Sequence, residues 1–309
     1  MIRNCPEVAV LLCTFNGGRY LTQQIRSISE QTHPAISLYI SDDGSQDDTC
    51  DIARKVASAN LQLAVDLRTG PGRGATSNFL SLICDSAINA DYFAYADQDD
   101  VWDSDKLSRA IAKLAECDAR LPALYCARTR SVTEHGLVVG VSPSFLKLPS
   151  FANALVQNIG GGNTMVMNRV ARNLLRSAGM VEVVSHDWWT YLLISGAGGR
   201  VEFDQNPCVD YRQHPDNQIG DNQGALRRLV RYWGALSGRN QRWNQRNIAA
   251  LSQNLDLLTP ESRFTLETFS ATRSGGLVER IKGARKAGLY AQTFIGNLGL
   301  LVAILLKKI

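Results

Sequence analysis

The stretch Tyr92-Phe93-Ala94-Tyr95-Ala96-Asp97-Gln98-Asp99-Asp100 passes in a single step from an uncharged apolar run to a cluster of carboxylates. Residues i and i+2 of an extended chain point to one side, so Asp97 and Asp99 can share one divalent cation or its waters. Aspartates in that spacing also suit a solvated turn. The position directly after a buried strand and before Asp100-Val101-Trp102 favours the cation. The same cadence holds upstream. Apolar runs at Val8 to Cys13, Ile36 to Ser41 and Leu61 to Leu67 alternate with helical stretches at Tyr20 to Ser29, Asp47 to Ala59 and Ser77 to Ile88. A further helix is expected at Ser104 to Glu116. This alternation predicts an α/β fold with a mainly parallel sheet flanked by helices. Ligands of such sheets collect just past the carboxyl ends of the strands.

Those ends carry Thr14-Phe15-Asn16-Gly17 and Asp42-Asp43-Gly44-Ser45 besides the acidic cluster. A carboxylate in the second segment can accept the imide N–H of a uracil or thymine; the same residues also suit a turn in which Ser45 or Asp47 caps the next helix. The glycine-rich Gly70-Pro71-Gly72-Arg73-Gly74 lacks dinucleotide-fingerprint spacing and holds a proline, so it is read as a loop. Beyond Leu124 short strands are expected at Leu124 to Thr129, Leu137 to Val141, Thr164 to Met167 and Arg200 to Phe203, continuing the sheet. Gly160-Gly161-Gly162 before Thr164 serves either as a close backbone approach for an acceptor sugar, with Gly162 nearest, or as a connector.

Taken together, Thr14 to Gly17, Gln31-Thr32, Asp42 to Asp47, Asp97 to Trp102 with Lys106-Leu107, and His186-Asp187-Trp188-Trp189 resemble glycosyltransferase family 2, most closely its bacterial rhamnosyltransferase branch. The ordered match spans about Val8 to Gly220. The resemblance implies the GT-A (nucleotide-diphospho-sugar transferase) fold, a mixed and mainly parallel sheet, a divalent cation (Mg²⁺ or Mn²⁺), and inversion at the anomeric carbon. It implies that Thr14, Phe15, Asn16 and Asp43 line the nucleotide pocket, and that Asp97, Gln98 and Asp99 form the D-x-D element, with Asp99 nearest the metal. The family's Glu-Asp pair corresponds to His186-Asp187, which makes Asp187 the catalytic base by position. An inverting displacement needs one such carboxylate near the acceptor hydroxyl. Trp188 and Trp189 either stack on sugar faces or belong to the core, with Asp187 capping their helix. Tyr211 to Asn217, followed by Gly220, also resembles the rhamnosyltransferase branch, and His214 is the candidate for a further metal ligand or an ordinary hydrogen-bonded histidine. Processive members carry Gln-x-x-Arg-Trp; here Arg239 stands three residues before Arg242-Trp243, which predicts single-sugar transfer. The donor expected from the branch is dTDP-β-L-rhamnose and the acceptor a saccharide or lipid-linked saccharide of surface polysaccharide (O-antigen type) assembly. Alternatives are a UDP-hexose donor, a sugar nucleotidyltransferase, or a non-catalytic sugar-binding protein.

The 309 residues are 45% hydrophobic and 20% charged, enough to bury a large core. The expected organisation is a catalytic unit over residues 1–224, its nucleotide-sugar half at about 1–103 and acceptor half at about 104–224, followed by a helical extension over 225–309. The net charge of +4 is uneven: from Ala225 onward fourteen Lys and Arg face four acids. The apolar run Leu298 to Leu306 is too short to span a bilayer even when extended back to Ala291. It reads either as an interfacial helix drawn to anionic lipid or as a helix docked on the catalytic unit. Nucleic acid is disfavoured because the aromatics nearby form no recognised binding motif. Seven scattered cysteines without metal-finger spacing read as reduced, buried thiols. The apolar run after Arg3 is shorter than a secretion signal. These features predict a cytoplasmic protein at the inner face of a membrane.

Overall fold

The first strand, β1 (Val8–Thr14), is buried along its whole length, as a strand covered on both faces must be. Its side chains alternate between two layers. Val8, Val10 and Leu12 join the apolar residues of one face, and Ala9, Leu11 and Cys13 those of the other. A computed structural model describes residues 5–58, 63–214 and 239–309. In it β1 pairs in parallel with β2 (Ile36–Asp42) on one side and with β4 (Tyr92–Asp97) on the other, while β3 (Ala64–Thr69) extends the β2 edge. Strand order therefore runs outward in both directions from β1, and the gap between β1 and β4 is the switch point at which α/β sheets take their ligands. Thr14 and Asp97 stand at its mouth.

Past β4 the sheet turns mixed. A two-residue β5 (Val101–Trp102), a long β6 (Ala123–Val132), β7 (Val138–Val141), β8 (Val166–Asn168) and β9 (Arg200–Arg212) complete the order β3-β2-β1-β4-β8-β6-β9-β5, with β7 on β6. β8 runs antiparallel to β4 and β6, whereas β6 and β9 are parallel. Helices α1 (Gly18–Ser29), α2 (Thr49–Ser58) and α4 (Lys106–Ala115) cover the face holding Val10 and Leu12. The opposite face receives α3 (Ala75–Cys84), α5 (Phe151–Ala154), α6 (Arg169–Ala178) and α7 (His186–Gly196).

The mainly parallel, mixed sheet expected from the sequence is present, and so is a helical C-terminal region. It comprises α8 (Arg239–Ser252), α9 (Pro260–Ser274), α10 (Leu277–Lys286) and α11 (Phe294–Leu305). Leu251, Leu266, Phe269 and Ile304 lie in the same apolar cluster as Trp189 and Leu193 of α7. The boundary expected near 224 lies outside the described residues. Two readings need correction. β9 is thirteen residues long rather than the expected four, Arg200 to Phe203. Of the seven cysteines, all free, only Cys13, Cys126 and Cys208 are buried, and Cys5 is exposed.

Candidate active site

Four short segments are fastened together at the β1/β4 mouth by groups that leave little freedom. Thr14 Oγ1 donates to Asp42 Oδ1 at 2.8 Å, and Asp42 also accepts from the amides of Gly44 and Ser45 and from Ser45 Oγ. These bonds outweigh burial and hold its carboxyl below the usual carboxylate range. Asp42 thus builds the turn and presents its neighbour. Asp43 receives the amides of Gly72 and Gly74 at 2.7 Å on its two oxygens, so the glycine-rich loop is tied to the end of β2. A carboxylate has about four lone-pair sites. Both oxygens therefore keep capacity for a base edge. The helix-capping work falls to Asp47, which accepts from Gly18 N and Thr49 N, and not to Ser45.

Gln98 pairs its amide with the backbone of Phe15 in both directions, Phe15 N to Oε1 at 2.8 Å and Nε2 to Phe15 O at 3.0 Å. A Cβ on Gly17 would fall 2.1 Å from Gln98 Oε1, so the close approach requires glycine. Asn16 takes a left-handed φ of 48° while its side chain accepts from Gln46 N. The Phe15 ring is left 56% exposed at the rim, where a base could stack.

β5 turns the chain immediately after the D-x-D element and pairs antiparallel with the end of β9, Val101 opposite Asp210. That pairing carries Arg212 and His214 back over Asp99. His214 Nε2 lies 2.7 Å from Asp99 Oδ2, and the two expected metal ligands are brought together. Arg212, to which sequence reasoning assigned nothing, is 5% exposed and fixes the same turn. Its Nε donates to Asp99 O at 3.0 Å, with further bonds to Glu134 O and Gln23 Oε1. The signal lay in its place two residues before His214. Asp100, which the sequence alone does not single out from its acidic neighbours, is wholly buried, accepts from Asn163 Nδ2, and is pushed well above the usual range by burial and by Asp99 and Asp97.

Asp97 is pushed up to about 7, first by withdrawal from water and then by the charges of Asp99 and Asp187. The carboxylates are close enough to feel one another, and the opposing Lys106 does not cancel them. Lys106 is fully buried, with Nζ 3.1 Å from the centre of the Trp102 ring, and burial brings it down to about 7. Carboxyl groups crowded beside an Asp and His pair fit a divalent cation. Among the described residues no three His, Cys, Asp or Glu side chains gather into a group that could hold a metal ion on their own.

Asp187 lies in the first turn of α7, where the helix dipole favours an anion, and its Oδ1 accepts from Trp188 N at 2.7 Å. The preceding His186 stacks on Phe79 at 3.9 Å and meets Tyr95 edge-on. Burial brings it down to about 4, so it is neutral near pH 7. Gly162 abuts it: a Cβ there would sit 2.4 Å from His186 Nε2, so this glycine serves close packing around His186 and Asp187. The sugar-stacking reading of the two tryptophans is corrected. Trp189 is wholly buried, and Trp188 is 8% exposed with Nε1 donating to Ala154 O at 2.7 Å. Neither ring offers a face to a ligand.

Residues 9–137 match the glycosyl transferase family 2 model. The chain is 28% identical over 228 residues, covering 68% of it and 74% of the relative, to the dTDP-rhamnosyl transferase RfbG of Shigella flexneri. Among solved structures it resembles residues 1–349 of Staphylococcus aureus TarS in complex with UDP-GlcNAc (TM-score 0.54, 16% identity, 92% of this chain and 93% of that one). It also resembles the mannosyltransferase PcManGT of Pyrobaculum calidifontis with GDP-Man and Mn²⁺ (TM-score 0.54, 18% identity, 99% and 86%).

Proposed function

We propose that this chain, which is a glycosyltransferase of the GT-A fold with a family 2 domain over residues 9–137, moves a single sugar with inversion from a nucleoside diphosphate to a saccharide hydroxyl. The observation that carries the reading is the pairing of Asp99 with His214 beside Asp97, within electrostatic reach of Asp187. Asp99 and His214 would hold Mg²⁺ or Mn²⁺, with Asp97 adding charge behind them. The cation supplies neutralisation of the diphosphate leaving group. Asp43, Thr14, Asn16 and Phe15 frame the nucleoside, the first by accepting an imide N–H and the last by stacking. Asp187 accepts the acceptor hydroxyl's proton as that oxygen bonds to C1. The bond from C1 to the diphosphate oxygen breaks on the opposite face, and its electron pair leaves with the nucleoside diphosphate. The resemblance to the rhamnosyl transferase supports dTDP-β-L-rhamnose as donor, with an α-linked product and a lipid-borne saccharide acceptor of surface polysaccharide assembly.

Calorimetric binding of dTDP-rhamnose, UDP-glucose and UDP-N-acetylglucosamine, with Mn²⁺ and then with chelator, tests donor and metal together. Metal-dependent preference for dTDP-rhamnose that is lost in Asp99→Asn is the expected result. A UDP-sugar preference discards the rhamnosyl assignment, and pyrophosphate release instead of nucleoside diphosphate release discards glycosyl transfer. Asp187→Asn is expected to lower turnover by about 10²- to 10⁴-fold while donor affinity stays within about twofold. Retained turnover removes Asp187 from the base role.

A further inference from the structure

The helix α11 contains no charged residue and is twelve residues long, about 18 Å, against a hydrocarbon thickness of about 30 Å. Among the described residues no helix is long and apolar enough to cross a membrane. One side of α11 docks: Ile304 is buried in the core, and Leu300 and Ala303 pack against it. Arg280 secures its last turn by donating to the carbonyls of Ile304 and Leu305 at 2.8 and 2.9 Å. The other side does not. Phe294, Ile295, Leu298, Leu301, Val302 and Leu305 are between 37% and 85% exposed. Their spacing of one, three and four residues forms a single stripe along the helix. Leu146 and Leu148, 84% and 75% exposed, adjoin its start, because Lys147 binds Ala291 O and Gln292 Oε1.

We infer that this stripe is a docking surface for an anionic lipid bilayer, into which α11 lies in plane without crossing. Charge decides between a bilayer and a second copy of the chain. From Leu277 to Ile309 there are six Lys and Arg and one acid. Lys282, Arg285, Lys286 and Lys307 are exposed, while Glu279 is turned to Gly276 N. A two-fold pairing would set these cations against their own copies, whereas anionic headgroups beside buried acyl chains complement both features. The surface is also rigidly tied to the site. Asn153 of α5 donates to Tyr290 O just before α11, and Ala154 of the same short helix accepts from Trp188, the neighbour of Asp187. The purpose of the surface rests on the proposed lipid-borne acceptor, but its existence is tested without any acceptor.

The test is flotation of the full chain with vesicles of phosphatidylcholine alone or with about one third phosphatidylglycerol. Expected are association with the anionic vesicles only, weakening as salt rises, and an affinity at least about tenfold lower in Phe294→Ser/Leu298→Ser and in Lys282→Ala/Lys307→Ala. Unchanged melting temperature and donor binding in the variants would show that folding and site are intact. Absent flotation, equal binding to both vesicles, or unaltered binding by the variants overturns the proposal. So does a dimer that the serine variant dissolves. Donor binding measured on the same samples separates these outcomes from failure of the glycosyltransferase mechanism.

Discussion

His186 is held neutral by an apolar enclosure, and that has a cost that depends on pH. Its folded value of about 4 lies below the ordinary 6.5, so between those values the unfolded chain binds a proton that the folded one refuses. Stability is therefore complete above about pH 6.5 and falls as the pH drops towards 4. The loss amounts to about 3 kcal/mol across the window. His186→Gln, which has nothing to titrate, should flatten that part of the stability curve in urea titrations at stepped pH. An unchanged slope would assign the loss to other groups. Arg212 exerts a different control, through the backbone of Asp99. Groups that orient a ligand without touching the ion are worth about 10- to 100-fold in metal affinity. Arg212→Met is accordingly expected to raise the Mn²⁺ concentration that supports donor binding by at least about tenfold. Loss of donor affinity without any change in metal requirement would contradict this role.

At the scale of elements, the glycine-rich segment 70–74 shows how a loop acquires a fixed shape. Gly72 and Gly74 have φ of 65° and 86°, and their amides converge on one carboxylate, Asp43. Asp43→Ala removes both acceptors at once. The exposed Arg73 should then become a preferred tryptic site under native conditions, read by mass spectrometry as cleavage between Arg73 and Gly74. Cleavage no faster than in the unaltered protein would show that the loop holds its form by other means. The residues proposed for the nucleotide side stood out in sequence because each follows a short apolar strand whose end is marked by an abrupt change to Asp, Asn or Gly. β9 was not legible. Its middle, Asp204-Gln205-Asn206-Pro207, reads as a turn, yet β6 holds the strand through a register shift opposite it. Without that length Arg212 and His214 would not reach Asp99. The tryptophans left two readings open for a related reason: an aromatic pair beside a candidate catalytic position has the composition of a sugar platform, and only the packing of α5 against α7 shows that both rings are enclosed.

At the scale of the whole molecule, the basic helical region is part of the core rather than an appendage to it. Leu251, Leu258, Leu266 and Phe269 are at most 3% exposed and lie among the side chains of α7. Backbone pairing adds to this, with Thr259 N donating to Gly196 O at the end of α7. Burying an aliphatic or aromatic side chain contributes about 1.5–3 kcal/mol. Four of them contribute about 6–12 kcal/mol, which is comparable to the entire stability of an ordinary domain, about 5–15 kcal/mol. Residues 1–224 expressed alone should therefore fail to form a cooperatively unfolding unit, even though they contain all the candidate site residues. Thermal and urea unfolding of that fragment beside the full chain decides the point. A sharp transition with retained donor binding would mean that the site half stands by itself and that residues 239–309 serve only the surface they present. A broad transition or aggregation, with donor binding lost, would mean that the helix presenting the apolar stripe also sustains the framework of α7. Docking and catalysis would then share one folded body.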